Sequence, residues 1–323
     1  MRVLVTGANG FVGKSLRAEL LKRGSAVTAA LRNPDALLED VDTVPVGNID
    51  EKTDWTDALH PQGGGRDVEV VIHLAARVHV MKETSVDPLT DYLKVNLYGT
   101  ANLAYQAARA GVKRLVYVSS VKVNGECATE AQPYVETDPP DPQDPYAVSK
   151  WEAELALQRI AQETALEVVI VRPPLVYGSG VAGNFVKMMK VIEKGIPLPL
   201  ASVKNRRSLL YIGNLVDALI TCATHPAAAG ETYLVSDGAA ISTSDLLRQL
   251  AAAMNVPARL FPCPPTLISL VAKMAGKSEQ AERLLGSLQV DSDKIRRELN
   301  WQPPYSVQQG LQATADWYRT TRL

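Results

Sequence analysis

Cysteine is scarce. The 323-residue chain has three, Cys127, Cys222 and Cys263, which are far apart and odd in number. There is no C-x-x-C pair, which argues against a disulfide framework or a thiolate zinc site and for reduced structural thiols. The four histidines, His60, His73, His79 and His225, lack any H-E-x-x-H-type spacing, so no metal is expected. Charge of one sign is also missing. The formal net charge is −1, so the chain has no overall basic footprint for nucleic acid or an acidic membrane. No run approaches the roughly 20 apolar residues of a membrane helix. The longest candidate, 266–275, is interrupted by Lys273 and reads as an amphipathic helix. The opening MRVLVTG is too short an apolar run for a signal peptide and leads straight into glycines, so a cytoplasmic protein is expected.

What is present is an alternation. Apolar, β-rich runs at 2–6, 26–31, 41–46, 68–74, 114–119 and 167–172 alternate with helical stretches at 11–23, 91–110 and 146–164. A flexible QGGGR turn at 62–66 precedes the fourth strand. Near-continuous apolar strands separated by helices predict a parallel sheet covered on both faces, the doubly wound α/β class. Ligands in such sheets bind at the carboxyl ends of the strands. Beyond Arg172 the pattern loosens around Pro173, Pro174, Pro197 and Pro199. We therefore expect a dinucleotide-binding domain over 1–173, with segments near 207–228 returning to it. A smaller substrate-binding lobe is expected over most of 174–323.

The first strand runs directly into TGANGFVG (6–13), where Gly7, Gly10 and Gly13 precede a helix. A pyrophosphate needs a close backbone approach there, and the helix N-terminus offers it free N–H groups. A glycine triplet alone is a weak signal; a strand-loop-helix context strengthens it. The second strand ends Ala29-Ala30-Leu31-Arg32, without the carboxylate that would bind a ribose 2′-hydroxyl. Arg32 suits a 2′-phosphate instead, so NADP(H) is favoured over NAD(H); a solvated loop arginine is the alternative. Asn48 and Ile49 follow the third strand, where an adenine edge would lie, and Ala75 and Ala76 are small enough for a cofactor to pass. Asn96 lies within the long helix and reads as a cofactor-site residue or a polar brace beneath the fourth strand.

The second chemical signal is PYAVSK (145–150). Tyr146 and Lys150 stand one helical turn apart on one face. A nearby ammonium favours a phenolate, so Tyr146 is expected to have a pKa lowered from about 10 towards neutrality and to act as general acid or base. Such pairs are common by chance on helix surfaces. Here the helix follows a strand ending in Ser119-Ser120, whose hydroxyls can hold a substrate oxygen beside Tyr146.

Together these segments resemble the extended short-chain dehydrogenase/reductases, specifically the nucleotide-sugar epimerase/dehydratase/reductase family. The likeness spans essentially the whole chain. It rests on TGANGFVG, HLAA (73–76), VNLYGT (95–100), VSSVKVNG (118–125), YAVSK (146–150), RPPLVYG (172–178) and DSDKIRRELNW (291–301). The resemblance implies Ser120, Tyr146 and Lys150 as catalytic residues, with Ser119 on the cofactor side. It implies cofactor contacts at Gly7, Asn9, Gly10, Phe11, Val12, Gly13, Leu74, Ala75, Ala76, Pro173 and Leu175, with Tyr146 and Lys150 shared. Val121 and Lys122 would face the substrate, and Asn184, Arg207 and Arg283 would hold its diphosphate. It further implies a homodimer through the helices at 91–110 and 146–164.

Departures from the family pattern narrow the reaction. Dehydratases of the family carry Asp-Glu where this chain has Val121-Lys122, which argues against 4,6-dehydration. The usual V-Y-G reads V-N-G at Asn124, and Leu31 and Leu175 replace an acid and an asparagine of well-known UDP-galactose 4-epimerases. The sequence thus favours a 4-ketoreductase of a UDP-linked sugar for surface polysaccharide. A UDP-hexose or UDP-N-acetylhexosamine 4-epimerase is the alternative. An NADPH reductase of a small ketone and a non-catalytic NADP(H)-binding regulator are weaker readings.

Overall fold

The computed structural model describes residues 1–33, 38–61, 67–78, 85–127 and 132–321; the QGGGR turn lies outside them. The strands are β1 (Arg2–Thr6), β2 (Ala26–Leu31), β3 (Asp42–Pro45), β4 (Val70–His73), β5 (Arg114–Val118), β6 (Glu167–Arg172), β7 (Leu175–Tyr177), β8 (Leu209–Tyr211) and β9 (Thr232–Leu234). The first helices are α1 (Phe11–Lys22), α2 (Thr56–Leu59), α3 (Pro88–Leu93), α4 (Thr100–Arg109), α5 (Pro145–Glu163) and α6 (Asn184–Glu193). They are followed by α7 (Ile212–Thr224), α8 (Thr243–Ala253), α9 (Pro265–Met274), α10 (Ser278–Leu285), α11 (Asp293–Leu299) and α12 (Val307–Thr320).

Seven strands form one parallel sheet in the order β3-β2-β1-β4-β5-β6-β9. The order reverses between β1 and β4, and that crevice is where a doubly wound sheet takes its ligand. Register aligns the carboxyl ends: Thr6 lies beside Ala30 and His73, and His73 beside Tyr117. Side chains alternate between two cores. Val3, Val5 and Ile72 pack against α1 and α7 with Leu16, Leu20, Leu215 and Leu219, whereas Leu4, Val71 and Leu115 pack against α2, α4 and α5 with Trp55, Leu103 and Leu157. Both faces are thus covered, which is why the strands read as unbroken apolar runs.

The helix expected at 91–110 runs from Pro88 to Arg109, but residues Lys94–Gly99 form a π-turn between α3 and α4. Periodicity alone does not reveal that extra residue. The wider turn accompanies two local contacts: Asn96 reaches across to Arg77 and Ser149, and Gly99 lies so close to Ile49 that an added Cβ would meet its Cγ2 at 2.5 Å. The remaining segments build a third core from α6, α8 and α12 around Tyr177, Met189, Leu247 and Leu311. The segment 291–301 returns to the sheet side, where Trp301 Nε1 donates to Asp217 of α7 at 2.9 Å. Among the described residues no helix is long and apolar enough to cross a membrane.

Candidate active site

The glycine loop sits at the switch point. Gly7 has φ +67°, a conformation that favours glycine, and a Cβ there would press on Ala75 N at 3.0 Å. A Cβ on Gly13 would lie 2.1 Å from Gly7 O. The cradle is therefore shaped by absent side chains. Gly10 caps α1 without a side-chain bond, so the first-turn N–H groups of Phe11, Val12 and Gly13 face the crevice mouth. Phe11 and Val12 turn their side chains into packing: both lie against the sheet core, and Phe11 also touches the lobe core. Asn9 is exposed at the tip. This cradle fits a dinucleotide pyrophosphate.

Behind the loop, Thr6 Oγ1 accepts from the N–H groups of Leu74 (3.2 Å) and Ala75 (3.0 Å) and pairs with His73 Nδ1 at 2.7 Å. His73 Nε2 pairs with Thr100 Oγ1 at 2.9 Å, and the ring stacks on Tyr117. Burial, with a contribution from Lys150, pushes the His73 pKa down to about 3, so the imidazole is neutral. This chain of hydroxyls and imidazole fixes the Leu74-Ala75-Ala76 ledge. Arg32 and Asn48 are exposed beyond β2 and β3. Asn96 is 1% exposed and its amide is occupied by protein. Oδ1 accepts from Arg77 N at 2.8 Å, and Nδ2 donates to Arg77 O at 3.0 Å and Ser149 Oγ at 2.9 Å. Its geometry is that of the polar brace, one of the two roles read for it from the sequence.

Ser120, Tyr146 and Lys150 converge at the carboxyl end of β5. Asp144 caps α5 by accepting from Ala147 N at 2.7 Å, and Pro145 opens the helix. The Ser120 hydroxyl interacts with the Tyr146 phenol, and Ser120 Oγ accepts the Lys122 N–H at 3.2 Å. Lys150 Nζ donates to Val118 O at 2.9 Å and lies 4.6 Å over the Tyr117 ring, against 5.9 Å for the Tyr146 ring. Burial pulls Lys150 down to about 7, with Glu154 opposing. The expected fall in the Tyr146 pKa is not found. Burial and the Asp144 charge raise it above the ordinary phenol value, because Lys150 is directed towards Val118 and Tyr117. Tyr146 in this structure is a protonated phenol.

A second network lies directly beneath. Ser119 Oγ donates to Glu154 Oε1 at 2.5 Å, and Arg172 grips the same carboxylate through Nε (3.0 and 3.2 Å) and Nη2 (2.5 Å). Arg172 Nη1 then donates to Asn124 Oδ1 at 3.1 Å, and Asn124 Nδ2 donates to Val135 O at 3.1 Å. Glu154 is 0% and Arg172 4% exposed. Sequence reading missed this group, although Glu154 continues the four-residue spacing of Tyr146 and Lys150. The unusual Asn124 is the arginine's acceptor.

The remaining expected residues divide. Pro173 O accepts from Val121 N at 3.0 Å, and Leu175 is 52% exposed after the β6 edge. Val121 is packed with Leu234, Leu288 and Val290. Lys122, expected at the substrate, instead bridges Glu126 at 2.6 Å and Asp144 at 2.5 Å, tying the 121–123 turn to the start of α5. Burial opposes its charge, but the two carboxylates outweigh burial and raise its pKa. Arg207 and Arg283 are brought together: Arg207 Nη1 donates to Arg283 O at 2.9 Å and to Gly286 O at 3.0 Å. Asn184 is exposed at the first residue of α6.

Comparison with known proteins agrees with this geometry. The family model of the NAD dependent epimerase/dehydratase family matches residues 3–236. A UDP-glucose 4-epimerase of Vibrio cholerae is 43% identical over 97% of this chain and 94% of its own length. An N-acetyl-α-D-glucosaminyl-diphospho-ditrans,octacis-undecaprenol 4-epimerase of Escherichia coli O157:H7 is 26% identical over 98% of this chain and 94% of its own. Among solved structures, the UDP-glucose 4-epimerase of Thermus thermophilus in complex with NAD superposes with a TM-score of 0.76 at 25% identity, covering 99% of each chain. With the glycine cradle, the HLAA ledge and the serine-tyrosine-lysine cluster each at the carboxyl edge of the sheet, the chain belongs to the NAD dependent epimerase/dehydratase family.

Proposed function

We propose that the protein is a 4-epimerase of a UDP-hexose or UDP-N-acetylhexosamine. The observation that carries this reading is the 43% identity, over nearly the full length of both chains, to a UDP-glucose 4-epimerase. NAD, held by the Gly7–Gly13 cradle, would supply a hydride acceptor and donor for C4 and a cationic nicotinamide that favours the phenolate. Tyr146 would take the proton from the 4-hydroxyl and return it to the 4-keto oxygen once the sugar offers its other face. Ser120 holds the same oxygen. Lys150, once freed from Val118 O, would hold the cofactor ribose and stabilise the phenolate. Arg207, Arg283 and Asn184 hold the diphosphate from the lobe, Arg207 through nitrogens other than the Nη1 that binds α10. The working unit is read as a homodimer through α4 and α5, on whose side Tyr98 and Tyr105 are exposed.

A second reading keeps the same residues in one direction only. β2 ends in Leu31 and an exposed Arg32 without a carboxylate. That favours NADPH and hence a net 4-ketoreductase, in which C4 gains a hydride and Tyr146 gives the oxygen its proton. One experiment separates the two. Purified protein is incubated with UDP-glucose or UDP-N-acetylglucosamine without added cofactor, and in parallel with NADPH and a UDP-4-keto-6-deoxy-N-acetylhexosamine. Interconversion at C4 supports the epimerase; stoichiometric NADPH loss without interconversion supports the reductase. Either activity should vanish in Tyr146→Phe, and inactivity of wild type in both arms would refute both.

A further inference from the structure

Helix α9 has its polarity reversed. None of its ten residues is buried. Leu267, Leu270, Val271 and Met274 are 49%, 55%, 57% and 82% exposed. At spacing i, i+3, i+4, i+7 they form one continuous outward stripe. Ile268 supplies the contact to the lobe core. Phe261 before the helix and Leu284 on α10 are exposed as well, at 45% and 41%. A surface helix ordinarily turns such a stripe inward; one turned outward marks an interaction surface.

The charge of the segment narrows the partner. Residues 255–277 carry Arg259, Lys273 and Lys277 and no Asp or Glu; α10, which adds Leu284 to the face, brings Glu279, Glu282 and Arg283, so the face keeps a net positive charge in a chain whose net charge is −1. Lys273 lies in the last turn of α9 and Lys277 just after it. A two-fold contact through the stripe itself would bring Lys273 of α9 against its own copy, and α9 carries no carboxylate to answer it. An anionic lipid surface accepts both features: the acyl boundary takes the stripe and the headgroups take the lysines. We propose that α9 is a docking face for an anionic phospholipid bilayer. The face is linked to the lobe's candidate diphosphate side, because α10, which follows α9, is the element whose Arg283 carbonyl Arg207 holds. The proposal does not depend on which C4 reaction the protein catalyses.

The test is flotation of the full-length protein with vesicles of phosphatidylethanolamine and phosphatidylglycerol, against vesicles of phosphatidylcholine alone. Wild type is expected to float with the anionic vesicles, less so at high salt. Leu270→Glu with Val271→Glu, both solvent-exposed, should abolish flotation while leaving cofactor binding and sedimentation unchanged. Lys273→Gln and Lys277→Gln should each weaken it about fivefold. Absence of flotation by wild type, or flotation undiminished by the glutamate pair, overturns the proposal. So does a drop in oligomeric state in the glutamate variant, which would assign the face to a second copy.

Discussion

Neutralising Glu154 strands the Arg172 guanidinium inside the protein. The carboxylate is fully buried, receives three arginine contacts at 2.5–3.2 Å and one serine hydroxyl at 2.5 Å. A surface pair would contribute about 0–1 kcal/mol. Removing one partner of a buried pair instead costs about 3–5 kcal/mol, because the remaining charge is left uncompensated. Glu154→Gln is nearly isosteric, so packing loss is minor and the cost is electrostatic. Replacing both partners with methionine removes the stranded charge and should recover most of the loss. Equilibrium urea denaturation of wild type, Glu154→Gln and the Glu154→Met/Arg172→Met pair measures each stability. A second readout is kinetic. Burial pulls the Lys150 pKa down to about 7 even with Glu154 raising it. In Glu154→Gln the pH above which kcat/KM falls through loss of the lysine charge should therefore move down. A loss below about 1 kcal/mol, with an unmoved pH profile, would refute the assignment of a buried charge pair.

Gly13→Ala places a Cβ 2.1 Å from Gly7 O, so the loop must shift; overpacking of about 1–3 kcal/mol predicts roughly 5–150-fold weaker NAD binding by calorimetry. His73 is neutral when folded, with a pKa of about 3, and near 6.5 when unfolded. Below pH 6.5 the unfolded chain binds the extra proton, so stability falls with decreasing pH, by about 2 kcal/mol near pH 5. A pH series of melting measurements on wild type and His73→Gln should show this component in wild type alone. Arg207→Met removes the donor that holds Arg283 O and Gly286 O, and should raise KM for the nucleotide sugar about tenfold or more with a smaller change in kcat. An unchanged KM would remove Arg207 from the substrate side.

Six of the seven strands of the sheet and the glycine-loop geometry were legible because each is written locally; the three-residue β9 was not. Near-continuous apolar runs, helical spacing and a glycine triplet after β1 do not depend on distant residues. The cluster of Ser120, Tyr146 and Lys150 was legible for the same reason, since topology alone brings the end of β5 to the start of α5. Side-chain commitments were less legible. Lys122 reads as a substrate residue until Asp144 and Glu126 are seen around it. Asn96 reads equally as a cofactor-site residue or a brace, and its partners Arg77 and Ser149 are not written in the local sequence. The Tyr146 pKa depends on where Lys150 points, and spacing does not state that. The Glu154–Arg172 pair joins residues on α5 and β6 whose burial is a tertiary fact, and the π-turn at Lys94–Gly99 adds a residue that helical periodicity hides.

The central claim is that a dinucleotide held by the Gly7–Gly13 cradle would take hydride from C4 and give it back, while Tyr146 removes and returns the proton of the 4-oxygen. The most direct measurement uses UDP-galactose deuterated at C4, with purified protein and no added reductant. The account predicts UDP-glucose that retains deuterium at C4, with a rate about 10²–10⁴-fold lower in Tyr146→Phe. Failure to form the epimer, together with NADPH consumption on a 4-keto sugar, would contradict the return step and make the protein a one-way reductase.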